Sequence, residues 1–148
     1  MSEEQGTLEH VILDVSDSLF RMTGERVWAL PLGDNLYEIR NTPWHTCDVN
    51  WGDIVRAVSD SPDHWPTMQE IVRRSGHRSL HIIFFKETTD IEKQDVLSRL
   101  KQWRASYENA QDRLYAIDVD PEGDFDALCN FLSTPERRRL LDYRTTVV

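Results

Sequence analysis

The sequence predicts an α+β fold, a small N-terminal antiparallel β subdomain followed by a ferredoxin-like βαββαβ unit. Three observations carry this. The first half alternates short β-branched, apolar runs with turn residues. From Asp90 the apolar residues fall at helical spacing instead. The order of elements from Ser79 onward reads strand, helix, strand, strand, helix, strand. A chain of 148 residues suits one compact domain over 1–148, divided into a β-rich part over 8–75 and an α+β sandwich over 76–148.

The elements follow in order. His10-Val11-Ile12-Leu13-Asp14-Val15 is β-branched and apolar, a strand. Arg26 to Leu30 and Leu36 to Arg40 flank Gly33-Asp34-Asn35, a hairpin turn. Pro43 ends that pairing because it has no N–H for a ladder. Ile54 to Val58 reads as a further strand. Met68 to Arg74 and Ser79 to Phe85 are two more, with Ser75-Gly76-His77 as a hairpin turn between them. Val96, Leu100, Trp103 and Tyr107 form one helical stripe in Asp90 to Tyr107, with Asp90 as N-cap. Ser106 to Asn109 and Arg113 to Val119 have strand composition, the second more strongly. Phe125, Leu128, Cys129 and Leu132 mark a short helix that starts near Asp124. Pro135 interrupts, and Leu140 to Val148 returns to strand composition.

Bulk properties narrow the classes. Hydrophobic residues make up 39% of the chain and it has five Trp, which is enough apolar bulk to fold without staples. The two cysteines, Cys47 and Cys129, provide no disulfide framework. MSEEQGTLEH has neither the basic start nor the apolar core of a signal peptide, and no apolar run exceeds four residues, as in Ile82 to Phe85. A soluble cytoplasmic protein is expected. The net charge of −9 repels phosphate backbones, arguing against nucleic acid, and favours fast association with a basic protein.

The segment WHTCDVNWGD, from Trp44 to Asp53, has the residue types of a nucleophilic site. On a strand, however, His45 and Cys47 share a face about 6–7 Å apart, beyond hydrogen-bond reach. The segment also lacks the basic neighbours or helix N-terminus that lower a thiol pKa. Packing by Trp44 and Trp51 with a turn at Gly52-Asp53 is the stronger reading. His77 and His81 stand at the i, i+4 spacing of a helical zinc pair. Leu80, Ile82, Ile83 and Phe84 around them indicate a strand, where the two imidazoles are about 13 Å apart, so no metal is expected. DVDPEGDFDALC, from Asp118 to Cys129, imitates the first half of a calcium loop but has Cys where the bidentate Glu belongs. Its acids, Asp118, Asp120, Glu122, Asp124 and Asp126, exceed what capping a helix requires and make an electronegative contact surface. Arg137-Arg138-Arg139 reads as a solvated helix end. No phosphate-binding Gly-rich loop, Gly-x-Ser-x-Gly elbow or paired-cysteine zinc spacing is present, and no cofactor is expected.

RVWALPLGDNLYEIRNTPWHTCDVNWGDIVRAV, GHRSLHIIF and RLYAIDVDPEGDFDAL together resemble a bacterial family catalogued as a domain of unknown function, number 4265. The resemblance spans about Arg26 to Tyr143. It rests on Trp28, Leu32-Gly33-Asp34, Tyr37, Asn41-x-Pro43, Gly52-Asp53-x-Val55, Gly76-His77-Arg78 and Ala116 to Val119. It transfers no catalytic residue.

The expected role is an immunity or antitoxin-like protein that blocks the basic active-site cleft of a bacterial toxin. In that role Asp118, Asp120, Glu122, Asp124 and Asp126 meet the cleft, and Trp44, His45 and Trp65 supply the apolar contact. The alternatives are a small hydrolase or transferase using His45, Cys47 or His77, and an accessory domain that forms homo-oligomers through its edge strands.

Overall fold

In a computed structural model, residues 6–17, 22–46 and 48–145 are described. The protein is a mixed α+β structure, mostly strands, with a closed five-stranded barrel and a separate four-stranded sheet. The barrel strands are β1 (Glu9–Asp17), β2 (Met22–Gly33), β3 (Leu36–Ile39), β4 (Ile54–Val58) and β5 (Thr67–Arg73). Neighbours run antiparallel from β1 to β5, and the ring closes where Ile12 of β1 pairs in parallel with Thr67 of β5.

Alternation explains the barrel. Along β2, Glu25, Val27 and Ala29 are buried while Arg26 and Trp28 face water. Val27 and Ala29 meet Val11, Leu13, Ile39, Val49, Val55 and Ala57 in a small apolar core. The β2–β3 hairpin turns at Asp34 and Asn35, whose φ values of 57° and 65° give the left-handed pair that matches strand twist. Asp and Asn tolerate that region better than other side-chain-bearing residues.

The second sheet is built from β6 (Arg78–Phe84), β7 (Ala105–Gln111), β8 (Leu114–Val119) and β9 (Leu141–Thr145), in spatial order β7-β8-β6-β9. Every pair in it is antiparallel. Helix α1 (Asp90–Arg99) is followed by a 3₁₀ turn over Leu100–Trp103. Helices α2 (Phe125–Leu132) and α3 (Pro135–Arg138) precede β9. Val96, Leu97, Leu100, Leu128 and Leu132 pack on Leu80, Ile82, Phe84, Ile117 and Leu141, forming a second core on one face of the sheet. Gly123 lets the chain enter α2 closely, since a Cβ there would lie 2.3 Å from the Trp103 carbonyl oxygen. Among the described residues no helix is long and apolar enough to cross a membrane.

Several expectations change. Ser75-Gly76-His77 does not turn a hairpin, because β5 belongs to the barrel and β6 to the second sheet. The Asp90 to Tyr107 stripe is not one helix: Arg104 adopts a left-handed φ of 59°, ends the 3₁₀ turn and starts β7. Tyr107 is therefore a strand residue, with its apolar period coincidental. The N-cap of α1 is Thr89, which forms a reciprocal capping box with Glu92, so Asp90 is the first helical residue. Asp124 does cap α2, accepting from the Ala127 N–H. Pro135 opens α3 at a position where its missing N–H is harmless. Cys47 and residues 146–148, the end of the last expected strand, lie outside the described residues.

Candidate functional site

The segment between β3 and β4 lies against the face of the second sheet opposite the helices, and polar groups hold it there. The Glu25 carboxylate, 7% exposed, points from β2 into this junction. It accepts from the backbone N–H groups of Trp44, His45 and Thr46 and from the Thr46 hydroxyl. Asp53 is fully buried and accepts from the N–H groups of Asn50 at 2.9 Å and Ser75 at 2.8 Å, with Arg74 at 3.4 Å. Gly52 has φ +82°, and a Cβ there would come within 2.9 Å of the Ser75 Cβ, so the turn requires glycine.

The sheet answers from its side. Ser79 donates its hydroxyl to Asn50 Oδ1 at 2.6 Å, His81 Nε2 donates to the Pro43 carbonyl at 2.8 Å, and Arg144 donates to the His45 carbonyl at 3.1 Å. His81 is 2% exposed and its Nδ1 has no hydrogen-bond partner. Burial holds its pKa below the usual imidazole value, against the opposing pull of the Pro43 carbonyl. Within WHTCDVNWGD, the Asn50 and Asp53 side chains therefore serve as fasteners. His45 is only 5% exposed, while Trp44 keeps 37% of its surface in water.

His77 Nδ1 donates to both oxygens of Asp118, at 2.9 and 3.0 Å. Burial raises the Asp118 pKa, and the neighbouring His77 works in the opposite direction. Asp118 also lines a cleft of about 300 Å³ with Ser106, Thr42 and Trp51, where a His–Asp pair can hold a proton. Among the described residues, no three or more His, Cys, Asp or Glu side chains group to hold a metal.

The acidic segment disperses. Asp118 faces the junction from β8, and Asp120 accepts from the Glu122 N–H and lies 3.5 Å from Arg104. These partners keep the Asp120 pKa low, the Glu122 N–H contributing most. Asp124 is committed to the α2 cap, while Glu122 and Asp126 are exposed or nearly so and make no side-chain bond to the calcium-loop positions around them.

A third place was only half visible beforehand. On the outer wall of the barrel, His10 of β1 is paired across the ladder with Trp28 of β2, their ring centroids 3.9 Å apart. Trp65, in the β4–β5 connection, meets His10 edge-on at 4.7 Å. The Arg26 guanidinium lies 4.9 Å from the Trp65 ring centroid. Trp28 and Trp65 remain 47% and 48% exposed, and a cleft of about 660 Å³ runs beside Trp65, lined also by Ile12, Asp60 and Asp63. Sequence reasoning named Trp65 and missed His10 and Trp28 as contacts. Alternation along β1 and β2 was the available signal, but pairing the two outward residues needs the register.

Comparison with known proteins gives three findings. No curated protein matches the chain. A crystal structure of a hypothetical protein from Neisseria gonorrhoeae is similar in fold, with a TM-score of 0.77, 15% identity and 93% of each chain covered. A family model described as "Domain of unknown function (DUF4265)" matches residues 25–143. With most of its length inside that match, from the Glu25 acceptor to the Tyr143 strand, the chain belongs to the DUF4265 family.

Proposed function

We propose that this chain is a protein-binding module, an immunity or antitoxin-like protein that neutralises a toxin in the cytoplasm by covering a basic active-site cleft. The observation that carries the reading is the outer wall of the barrel. Two tryptophans at 47% and 48% exposure, bridged by one imidazole beside a cleft, are the side chains that dominate protein contacts. The net charge of −9 supplies attraction for a basic partner. Among the acids of the 118–126 segment, Glu122 and Asp126 remain available to meet it, while Asp118 and Asp124 already hold partners. Trp44 supplies a further apolar contact. We infer in addition that the second sheet is a ferredoxin-like unit, supported by the order β7-β8-β6-β9 and by its antiparallel pairs.

The test uses the product of the gene encoded directly upstream. Mixing it with this protein abolishes its toxic activity, and the double variant Trp28→Ala/Trp65→Ala binds about a hundredfold more weakly by calorimetry. A neighbour whose activity survives mixing, or equal affinity of the variant, overturns the reading. A second reading, a small hydrolase or transferase, draws on the His77–Asp118 pair beside its cleft. Turnover lost in His77→Gln while binding of the neighbour persists would support it.

A further inference from the structure

The cleft beside Trp65 combines two recognition elements that seldom serve the same ligand unless that ligand is both planar and cationic. One is the exposed indole, whose ring already receives a guanidinium from the chain's own Arg26 while still lining the cleft. The other is a pair of carboxylates, Asp60 and Asp63, that line the same cleft. His64 Nδ1 bonds Asp60 at 2.7 Å, and that bond holds the Asp60 carboxyl below its usual pKa and thus ionised at neutral pH. Ile12 and Val58 also line the cleft and give it apolar surface against which an aliphatic stem can lie.

A guanidinium satisfies these elements together. It is planar, delocalised and weakly hydrated, so it stacks on an indole and forks onto carboxylates, whereas an ammonium is a compact, strongly hydrated charge. Arg26, over the Trp65 ring, brings one positive charge near the cleft, and the two carboxylates that line it outweigh that charge. We propose that the cleft bounded by Trp65, Asp60 and Asp63 is a docking pocket for an arginine side chain of a basic partner protein. The inference rests on the outer wall being the contact surface and adds which side chain of the partner it takes.

The test needs no partner. N-acetyl-arginine amide is titrated into the 15N-labelled protein while the Trp65 indole N–H is followed by NMR, its signal assigned by loss in Trp65→Phe. The expected result is a saturable shift at Trp65. N-acetyl-citrulline amide, equal in shape but uncharged, binds about tenfold more weakly or not at all, and so does the arginine probe to Asp60→Asn/Asp63→Asn. Both acids are exposed, and an unchanged spectrum elsewhere shows that this variant folds. Absence of a Trp65 shift, an equal response to citrulline, or an undiminished shift in the double variant overturns the pocket. Neutralisation lost in Trp28→Ala/Trp65→Ala without any arginine response removes the pocket and leaves the contact surface standing. An arginine response in a chain that neutralises no neighbour keeps the pocket and removes the immunity role.

Discussion

In the junction between barrel and sheet, Glu25, Asp53, Asn50, Ser79 and His81 are polar side chains with almost no exposure; on the outer wall, Trp28 and Trp65 leave nearly half their surface in water. Both regions depart from the usual partition of residue types, in opposite directions. A buried carboxylate survives only where donors surround it, so the junction polar groups are explained by what they hold together. The exposed indoles have His10 and Arg26 as neighbours, yet these leave nearly half of each ring's residue surface in water. The difference separates polar residues that the fold uses up from apolar residues whose surface stays open to water.

Glu25→Ala leaves three backbone donors without their acceptor inside the junction. A loss of at least about 3 kcal/mol is expected in urea denaturation. A loss similar to that of an exposed substitution would show that water replaces the carboxylate and that the junction is not a fastener.

A smaller effect should follow from His81. Its folded pKa lies below the unfolded value, so the unfolded chain takes up a proton first as pH falls. Stability is therefore complete above about pH 6.5 and declines as pH drops from there toward the folded pKa. The charged and titratable groups around it are Arg144 from β9, Glu25 from β2 and His45 from the connecting segment; Arg144 and His45 disfavour the imidazolium, and Glu25 favours it. His81→Gln keeps a donor for the Pro43 carbonyl but removes the titration. Its stability, measured between pH 5 and 7 (roughly the imidazole range), should fall less with acid than that of the parent. Parallel curves would assign the acid sensitivity to another group.

The smallest effect belongs to the exposed acids. Glu122→Gln/Asp126→Asn should change stability by no more than about 0.5 kcal/mol per site. It should also slow association with a basic partner and weaken the salt dependence of the on-rate, as stopped-flow fluorescence would show. An unchanged on-rate would confine recognition to the wall.

How much of this was legible beforehand depended on the range of the interaction. Local signals served well. Asp34-Asn35 marked the β2–β3 turn and Asp124 the start of α2, because a left-handed turn and a cap are decided within a few residues. The family resemblance was also legible, spread from about Arg26 to Tyr143, and the family match covers residues 25–143. Signals between distant residues were not. The partners of Glu25 lie 19 to 21 positions away, and Arg144 reaches a carbonyl 99 positions earlier, with nothing in the local pattern to announce either contact. Ser75-Gly76-His77 had the composition of a hairpin turn yet connects two sheets, since turn chemistry does not reveal which strands pair. His10 and Trp28 failed for the same reason.

The parallel pairing of Ile12 with Thr67 gives the barrel an uneven rim. Four of its five joints are antiparallel ladders several residues long, and the fifth is this one rung, supported by the Ile12 N–H on the Pro66 carbonyl. A hoop with one short weld opens at the weld. Trp65 immediately precedes Pro66, and His10 lies two residues before Ile12, so each aromatic sits on its own lip of that joint. Anything that grips both rings at once would act as a staple across the weld, and the barrel would be tighter when occupied than when free.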